Sequence, residues 1–310
     1  MSSVSAHTNS IFQQPWWLDA VAPGQWSAAT VEENGETCAR LPFVVTRKYG
    51  LRCLTQPKLT QTLGPWLAPT DEKSSHRLKN EKEWLTALID ELPPFDLFQQ
   101  SWHYSVQNWL PFFWRGFECS TRYTFVLEDV SDPERLWKGY HDTTQRQIKK
   151  ARRLVQVRDD LGLDAFWKLN CATYQRQGRP VPYSRDLVGR IDEACAARNA
   201  RRIFFAEDAD GRVHSALYLI WDHHAAYYLM SGSDPELRNS GALSLLMHEA
   251  ISYAATVTGR FDFEGSMAEP IERFFRNFGA TPKPYFLVRG TSRRMGVIQG
   301  VRDMFRKAAG

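Results

Sequence analysis

Residues 201–232, RRIFFAEDADGRVHSALYLIWDHHAAYYLMSG, repeat the pattern of residues 26–56, WSAATVEENGETCARLPFVVTRKYGLRCLTQ. Each stretch has two β-rich runs around a turn dipeptide and then a further strand. The turn dipeptides are Asn34-Gly35 and Asp210-Gly211. Such pairs favour tight hairpins because both residues tolerate positive φ. The sequence therefore predicts the same hairpin in both halves of the chain.

The repeat continues beyond the hairpins in the same order. An apolar-periodic helix and a short strand occur in residues 83–98 and again in residues 243–264, and a Phe-Phe segment followed by a strand occurs in residues 112–127 and 274–288. We interpret the chain as two copies of one α/β unit, with a mixed sheet and helices on both faces. The predicted domains are residues 11–130 and residues 131–310.

The composition is that of a globular protein. Of 310 residues, 43% are hydrophobic and 24% are charged, and the net charge of +4 permits an anionic partner without requiring one. The five cysteines form no C-x-x-C pair, which argues against a disulfide framework or a zinc site. We expect no metal. With no signal peptide and no apolar run of membrane-spanning length in the sequence, we expect a cytoplasmic protein.

Two segments carry a resemblance to a known family: DTTQRQIKKARR (residues 142–153) and DFEGSM with IERFFRNFG (residues 262–267 and 271–279). The order strand, loop, helix, strand, Phe-rich helix and closing strand resembles the GNAT acyltransferase core. Two such units in tandem look like the FemAB-like transferases. The resemblance implies two GNAT-like domains, a degenerate first copy and a catalytic second copy. It also implies transfer of an acyl or aminoacyl group from acyl-CoA or aminoacyl-tRNA to an amine.

The helix that begins at about Ala242 follows a loop similar to the GNAT pyrophosphate loop, Q/R-x-x-G-x-G/A. Here Arg238 and Gly241 match the first two defined positions of this motif, and Leu243 replaces the small residue at the last one. Free N–H groups and the helix dipole favour an anion at such a start. The predicted cofactor-binding residues are Arg238, Asn239, Ser240, Gly241 and Ala242. A serine N-cap with a turn glycine explains the same residues without a ligand.

Two acids, Asp262 and Glu264, alternate along the short apolar run FDFEGSM, residues 261–267. Alternation places both on one face of a strand, where burial would raise their pKa values toward those of a general base. Acyl transfer to an amine needs such a base. Asp96 occupies the equivalent of Asp262 in the first copy, whereas Glu264 has no counterpart there, so Glu264 is the stronger candidate. An ion pair with an arginine of the next helix, Arg273 or Arg276, is the structural alternative.

Three further residues complete the predicted catalytic set. Ser266, with Gly265, ends the strand and offers a hydroxyl to a ligand, although a plain turn would look the same. GNAT enzymes often carry a tyrosine acid on the helix that here reads IERFFRNFG, which has none. The acid role is therefore either vacant or supplied from elsewhere, by Tyr285 or Tyr228, while the recurrence of Tyr285 as Tyr123 favours a packing role for it.

A basic face is predicted on the helix within residues 145–158, formed by Arg146, Lys149, Lys150 and Arg153. It offers a surface for a tRNA, and a solvated helix face is the alternative. Two rival functions remain open at this point. One is a non-catalytic module that captures a peptide or an anionic ligand, and the other is an RNA-binding protein.

Overall fold

The computed structural model describes residues 7–70, 73–265, 267–292 and 295, and the chain forms two compact units. The first unit extends to Arg122 and takes up the chain again from Pro284, while the second comprises Tyr123–Lys283. The division differs from the predicted boundary at 130/131, because the final strand returns to the first unit. It pairs there from Leu287↔Ser101 to Thr291↔Leu97.

The first unit is built on a meander of three antiparallel strands. Its elements are α1 (Pro15–Val21), β1 (Trp26–Glu33), β2 (Glu36–Lys48), β3 (Leu51–Thr55), β4 (Trp66–Leu67), α2 (Ser74–Asp90), β5 (Leu97–Ser101), α3 (Leu110–Trp114) and the start of β6 (Glu118–Leu127). Strand β5 runs parallel to β3. The turn residues Asn34 and Gly35 both have positive φ, 52° and 82°, as the hairpin prediction requires.

The second unit contains a longer series of elements. They are α4 (Pro133–Gly139), α5 (Asp142–Ala151), β7 (Val155–Arg158), α6 (Gly162–Arg176), α7 (Arg185–Ala196), β8 (Arg201–Asp208), β9 (Val213–Trp221), β10 (Ala226–Ser233), α8 (Ala242–Ala254), β11 (Phe261–Asp262), α9 (Glu269–Arg276) and the start of β12 (Thr281–Thr291). Strands β8, β9 and β10 form an antiparallel meander, and β11 is parallel to β10.

The two units share one topology, which confirms the predicted tandem fold of GNAT type. The series β1-β2-β3-α2-β5-α3-β6 in the first half corresponds to β8-β9-β10-α8-β11-α9-β12 in the second. The closing strands are exchanged: β6 follows α3 but pairs with β11, and β12 follows α9 but pairs with β5. Each unit is therefore completed by a strand that belongs, in sequence, to the other copy.

Each unit has an aromatic core beneath its parallel strands. In the first, Phe98 packs edge-on against Phe117, with ring centroids 5.5 Å apart, and both belong to one buried cluster. In the second, Phe263 packs against Phe275 at 5.1 Å. Complete burial of such a side chain stabilises a fold by about 1.5–3 kcal/mol. These cores hold the strands that carry the polar residues discussed below.

The Phe-rich helices bury only some of their large apolar residues. Phe275 and Phe278 are buried, whereas Ile271 is exposed and Phe274 is half-buried. In the first unit Phe112 is buried and Phe113 is exposed. Among the described helices, none has both the length and the apolar character needed to cross a bilayer.

Candidate active site

The parallel strands β10 and β11 separate after only two residue pairs, Ala226↔Phe261 and Tyr227↔Asp262. Beyond these pairs the chain follows β6 instead, where the amide of Phe263 donates to a β6 carbonyl at 2.9 Å. Strand β11 is thus two residues long rather than the longer alternating strand expected from FDFEGSM. A gap opens between β10 and residues 263–265 on the far side of the last pair.

The edge of β10 that faces away from β9 is occupied by side chains of α6. The carbonyl of Ser231 accepts from Asn170 Nδ2 at 2.8 Å, and the amide of Ser233 donates to Thr173 Oγ1 at 2.9 Å. Helix α6 approaches this strand closely, since a Cβ on Gly232 would lie 2.4 Å from the amide nitrogen of Asn170. A ligand entering the gap therefore finds these two edge groups already hydrogen-bonded.

Glu264 lies at the point where the chain leaves β11. Its backbone has φ of 56°, uncommon for a residue with a side chain, and the residue is only 6% exposed. Within the described part of the chain, neither carboxylate oxygen has a hydrogen-bond partner. Burial raises the pKa of Glu264 well above its usual range, and the neighbouring Asp262 raises it further. The side chain is therefore a buried acid that has no hydrogen-bond partner among the described residues.

Asp262, the neighbouring acid, is also buried but is hydrogen-bonded. Its Oδ1 accepts from the hydroxyl of Thr124 at 2.5 Å and from the backbone amide of Glu264 at 2.8 Å. Burial raises the pKa of Asp262 to about 6, against the lowering effect of these two bonds. One carboxylate thus fixes the backbone of the residue that carries the other.

Gly265 holds the same segment against β6. A Cβ on this residue would lie 2.1 Å from the carbonyl oxygen of Tyr123, which no side chain could tolerate without a backbone shift. The glycine that sequence analysis treated as a strand terminator is therefore a site of close backbone approach. Together with Asp262, it fixes the position of Glu264 from both sides.

The arginine partners considered for Glu264 are not found in the structure. Arg276 forms an ion pair with Glu272 on its own helix at 2.9 Å, and Arg273 makes no ion pair within the residues that the structure describes. Glu264 is absent from every ion pair of those residues as well. The geometry therefore favours a ligand-binding role for Glu264 over a structural ion pair.

The predicted pyrophosphate loop forms as a 3-10 helix, Arg238–Ser240, and then Gly241 with φ of 83° at the start of α8. The space beside this glycine is filled by α5, because a Cβ there would lie 2.6 Å from the carbonyl oxygen of Gln147. Ser244 donates to Gln147 Oε1 at 2.7 Å across the same contact. The hydroxyl of Ser240 accepts from the amide of Ala242 at 3.3 Å, but the N-cap of α8 is Gly241 rather than the serine of the capping alternative.

The basic face of α5 is partly engaged with this loop. Lys150 donates to the carbonyl of Asn239 at 2.8 Å, and the ammonium of Lys149 lies 5.9 Å from the ring centroid of Trp137. Arg146 is exposed on the helix, and Arg153 follows the helix end. A tRNA surface at these four residues stays a prediction.

Three residues remain from the predicted catalytic assignments: Tyr285, Ser266 and Tyr228. Tyr285 lies on the part of β12 that belongs to the first unit, whereas Glu264 belongs to the second. Ser266 lies outside the described residues. Tyr228 hydrogen-bonds with Ser231 through its hydroxyl, and burial raises its pKa to about 12. The structure therefore brings Asp262 and Glu264 together and leaves the other catalytic assignments as predictions.

Among the described residues, one group has metal-ligand chemistry: Asp222, His223 and His224, with ligand atoms within 4.8 Å of one another. Asp222 Oδ1 accepts from the amides of His224 and Ala225 at 2.9 and 3.2 Å, which closes the β9–β10 turn. The two imidazole rings are tilted by 40° to each other, with centroids 3.8 Å apart. A turn-closing role explains the aspartate without a cation.

Sequence reasoning missed Thr124, Asn170 and Thr173. Thr124 is 138 residues from Asp262, and no local pattern links them. Asn170 and Thr173 did leave a signal, because they interrupt the buried stripe of α6 that contains Phe166 and Leu169. Polar residues at core positions of a helix indicate a specific hydrogen-bonded partner.

Comparison with known proteins adds a family match over the second half of the chain. Residues 139–274 match the model Acetyltransf_6, described as an acetyltransferase (GNAT) domain. The matched segment contains Asp262, Glu264 and the loop before α8. No curated protein gives a significant match.

Several solved structures share the fold over nearly the whole chain. The crystal structure of FemX aligns with a TM-score of 0.66 at 12% identity, covering 89% of this chain and 91% of that one. L-PGS from Bacillus licheniformis aligns with a TM-score of 0.53 at 8% identity, covering 92% and 89%. A conserved protein of unknown function from Bacteroides thetaiotaomicron gives 0.55 at 9% identity, covering 89% and 90%. At these identities the likeness concerns the fold.

Proposed function

Because this chain is a FemAB-like protein of tandem GNAT folds, we propose that it transfers an acyl or aminoacyl group to an amine acceptor. The proposed reacting centre is the gap between β10 and residues 263–265 of the second unit. The observation that carries the proposal is Glu264, a buried carboxyl group with no partner among the described residues. A buried polar group without a partner is costly, and such groups concentrate at functional sites.

The proposed acyl transfer uses the carboxyl group of Glu264 as a base. An acceptor amine arrives as an ammonium ion and must lose a proton before its nitrogen has a lone pair. In the proposed mechanism the amine nitrogen forms a bond to the donor carbonyl carbon, and the bond from that carbon to the donor sulfur or oxygen breaks. The ammonium ion loses two protons in becoming an amide: the ionised carboxylate of Glu264 takes the first, and the second passes from the nitrogen to the leaving thiolate or alkoxide. A carboxylate whose pKa is raised is a stronger base than an exposed glutamate, which suits Glu264 to the first of these steps.

Asp262 is proposed as a positioning residue. Its bond to the amide of Glu264 fixes the backbone that carries the base, and its own negative charge when ionised raises the pKa of Glu264. Precise placement matters because proton transfer needs heavy atoms within hydrogen-bond distance. Ser266 and Tyr285 remain proposed participants of the predicted set.

The donor is either an acyl-CoA thioester or an aminoacyl-tRNA ester. Both donors carry phosphates, and the loop Arg238–Ala242 was the predicted phosphate site. The close contact between Gly241 and Gln147 argues against a pyrophosphate at that glycine. The aminoacyl ester is therefore the donor we favour, with the basic residues of α5 as a candidate tRNA surface and the cytoplasm as the proposed location.

A transfer assay with the full chain tests the proposal. The protein is incubated with radiolabelled acetyl-CoA or with charged tRNA and a panel of amine acceptors, and product formation is measured. Glu264→Gln should lower the rate by about 10²–10⁴, the usual contribution of general acid–base catalysis. Glu272→Gln is the matched control, since Glu272 lies on α9 in an exposed ion pair with Arg276.

The rival function is a binding module in which Glu264 holds a cationic ligand without chemistry. It would be supported if the wild-type protein transferred nothing from either donor but bound amines in a Glu264-dependent manner. Equal rates for wild type and Glu264→Gln would overturn the proposed catalytic role.

A further inference from the structure

A polar cleft of about 200 Å³ lies between α5 and α9 in the second unit. Its polar lining comes from Thr144 and Gln147 on α5 and from Arg273 and Asn277 on or beside α9, with apolar contact from Phe274. No carboxylate is among its described lining residues. The cleft lies beside the loop before α8, because Gln147 contacts both.

The lining residues of this cleft include side chains with hydrogen-bond donors. Gln147 uses its oxygen to accept from Ser244, so its amide N–H groups remain as donors. Arg273 has five N–H donors and no ion-pair partner among the described residues. A set of donors with a fixed positive charge and no acid is the chemistry that recognises phosphate.

Thr144 adds a hydroxyl group to the lining of the cleft, on a residue that is itself largely buried. It lies in the first turn of α5, where the helix dipole favours negative charge.

We propose that this cleft binds a phosphate group of the donor or acceptor substrate, in place of the occupied start of α8. This inference rests on the proposed function, because the phosphate is taken to belong to a substrate of the transfer reaction. Binding of phosphate to the cleft can nevertheless be tested without any transfer. The phosphate-bearing ligand approaches α9 from the side of Arg273, and the chain segment from Glu264 to α9 links the cleft to the reacting centre.

Isothermal titration calorimetry of the full chain with inorganic pyrophosphate tests the proposal. Arg273→Gln should weaken binding by tenfold or more, because bonds to charged groups contribute about 1.5–3 kcal/mol. Thr144→Val should weaken it by a smaller factor. Arg276→Gln is the matched control, since this arginine lies one turn away in an ion pair with Glu272, and its pyrophosphate affinity should change less than twofold.

Two further titrations identify the source of the phosphate. Coenzyme A and deacylated tRNA are titrated separately, and the one whose affinity falls with Arg273→Gln is the natural phosphate donor class. No pyrophosphate binding by the wild-type protein, or equal losses for Arg273→Gln and Arg276→Gln, would overturn the proposal.

The outcomes separate this inference from the proposed function. Glu264→Gln should lose transfer and keep pyrophosphate affinity. Binding that depends on Arg273 in a protein without transferase activity would leave the cleft standing and remove the proposed function. If transfer depends on Glu264 but its rate and KM are unchanged by Arg273→Gln, the proposed function stands and the proposed phosphate site is removed.

Discussion

The two units differ in the groups that lie beside their parallel strands. In the first unit β3 and β5 share three residue pairs, and the chain then fills the space with its own groups. The amide of Ser101 donates to Gln56 Oε1 at 2.6 Å, and the amide of Leu63 donates to the carbonyl of Ser101 at 2.7 Å. In the second unit β11 stops after two pairs, and side chains of α6 bond to the edge of β10.

The buried polar side chains beside the two gaps differ in the same way. Gln100 is fully buried and satisfied, since it accepts from the amide of Gly64 at 3.2 Å and donates to the carbonyl of Pro42 at 2.8 Å. Glu264 is equally buried, and its carboxylate has no such bonds within the described chain. The same topology therefore carries Gln100, which stabilises the fold of the first unit, and Glu264, which is available to bind a ligand in the second. The difference locates the proposed chemistry in the second unit.

The largest effect is expected from Gly265→Ala, which would break the approach of residues 263–265 to β6. The added Cβ would lie 2.1 Å from a backbone oxygen, so the free energy of unfolding should fall by about 3 kcal/mol. Thermal unfolding measures the loss. Gly259→Ala is the control, because a Cβ there meets nothing within 4 Å. Equal changes in the two variants would show that the close approach does not hold the gap open.

A smaller loss of stability is expected from Gln100→Leu in the first unit. The change leaves a buried amide and a buried carbonyl without partners, which should cost about 2 kcal/mol of unfolding free energy. Transfer activity of the folded variant should stay within about twofold of wild type, since the residue only supports the fold. Gln99→Leu, at an exposed position of the same strand, should leave stability unchanged in denaturant titrations. A Gln100→Leu variant that is stable but inactive would contradict the assignment of roles.

The smallest effect concerns Glu264 itself and has the opposite sign. Its folded-state pKa is raised above the unfolded value of about 4.3, so the unfolded state ionises first as pH rises. Stability from the protonated group is complete below about pH 4 and is lost toward the raised folded pKa. Glu264→Gln should therefore match wild type near pH 4 and be the more stable protein at pH 8, by a free energy of unfolding that grows as pH rises toward the raised folded-state pKa.

Thermal unfolding across this pH range measures the difference. Glu272→Gln, at a partly exposed position on α9, should show no gain in stability that grows with pH. A Glu264→Gln variant that is less stable than wild type at pH 8 would mean that the carboxylate has a stabilising partner after all.

Much of the fold could be predicted because its signals are local or repeated. The Asn34-Gly35 hairpin follows from residues that tolerate positive φ, and the two copies support each other because the same order of elements occurs twice. Exchange of β6 and β12 left no such signal. Pairing between strands is decided by complementarity across the whole fold, and both arrangements preserve the same sequence pattern.

The sequence predicts the two acids of the candidate site but not the contacts that surround them. Asp262 and Glu264 stand out as acids in an apolar run, which sequence displays directly. The length of β11 depends on Gly265 meeting the backbone of Tyr123, and the contact of Gly241 with Gln147 depends on how α5 packs. Both contacts join segments that are far apart in the sequence, and the spacing of residues does not reveal such contacts.

The exchanged closing strands have an evolutionary consequence. Once β6 and β12 each complete the opposite unit, deleting either half of the gene removes a paired strand from the surviving half. Neither half of the sequence contains every strand of one unit, so the two halves must be inherited together if either unit is to fold with all of its strands.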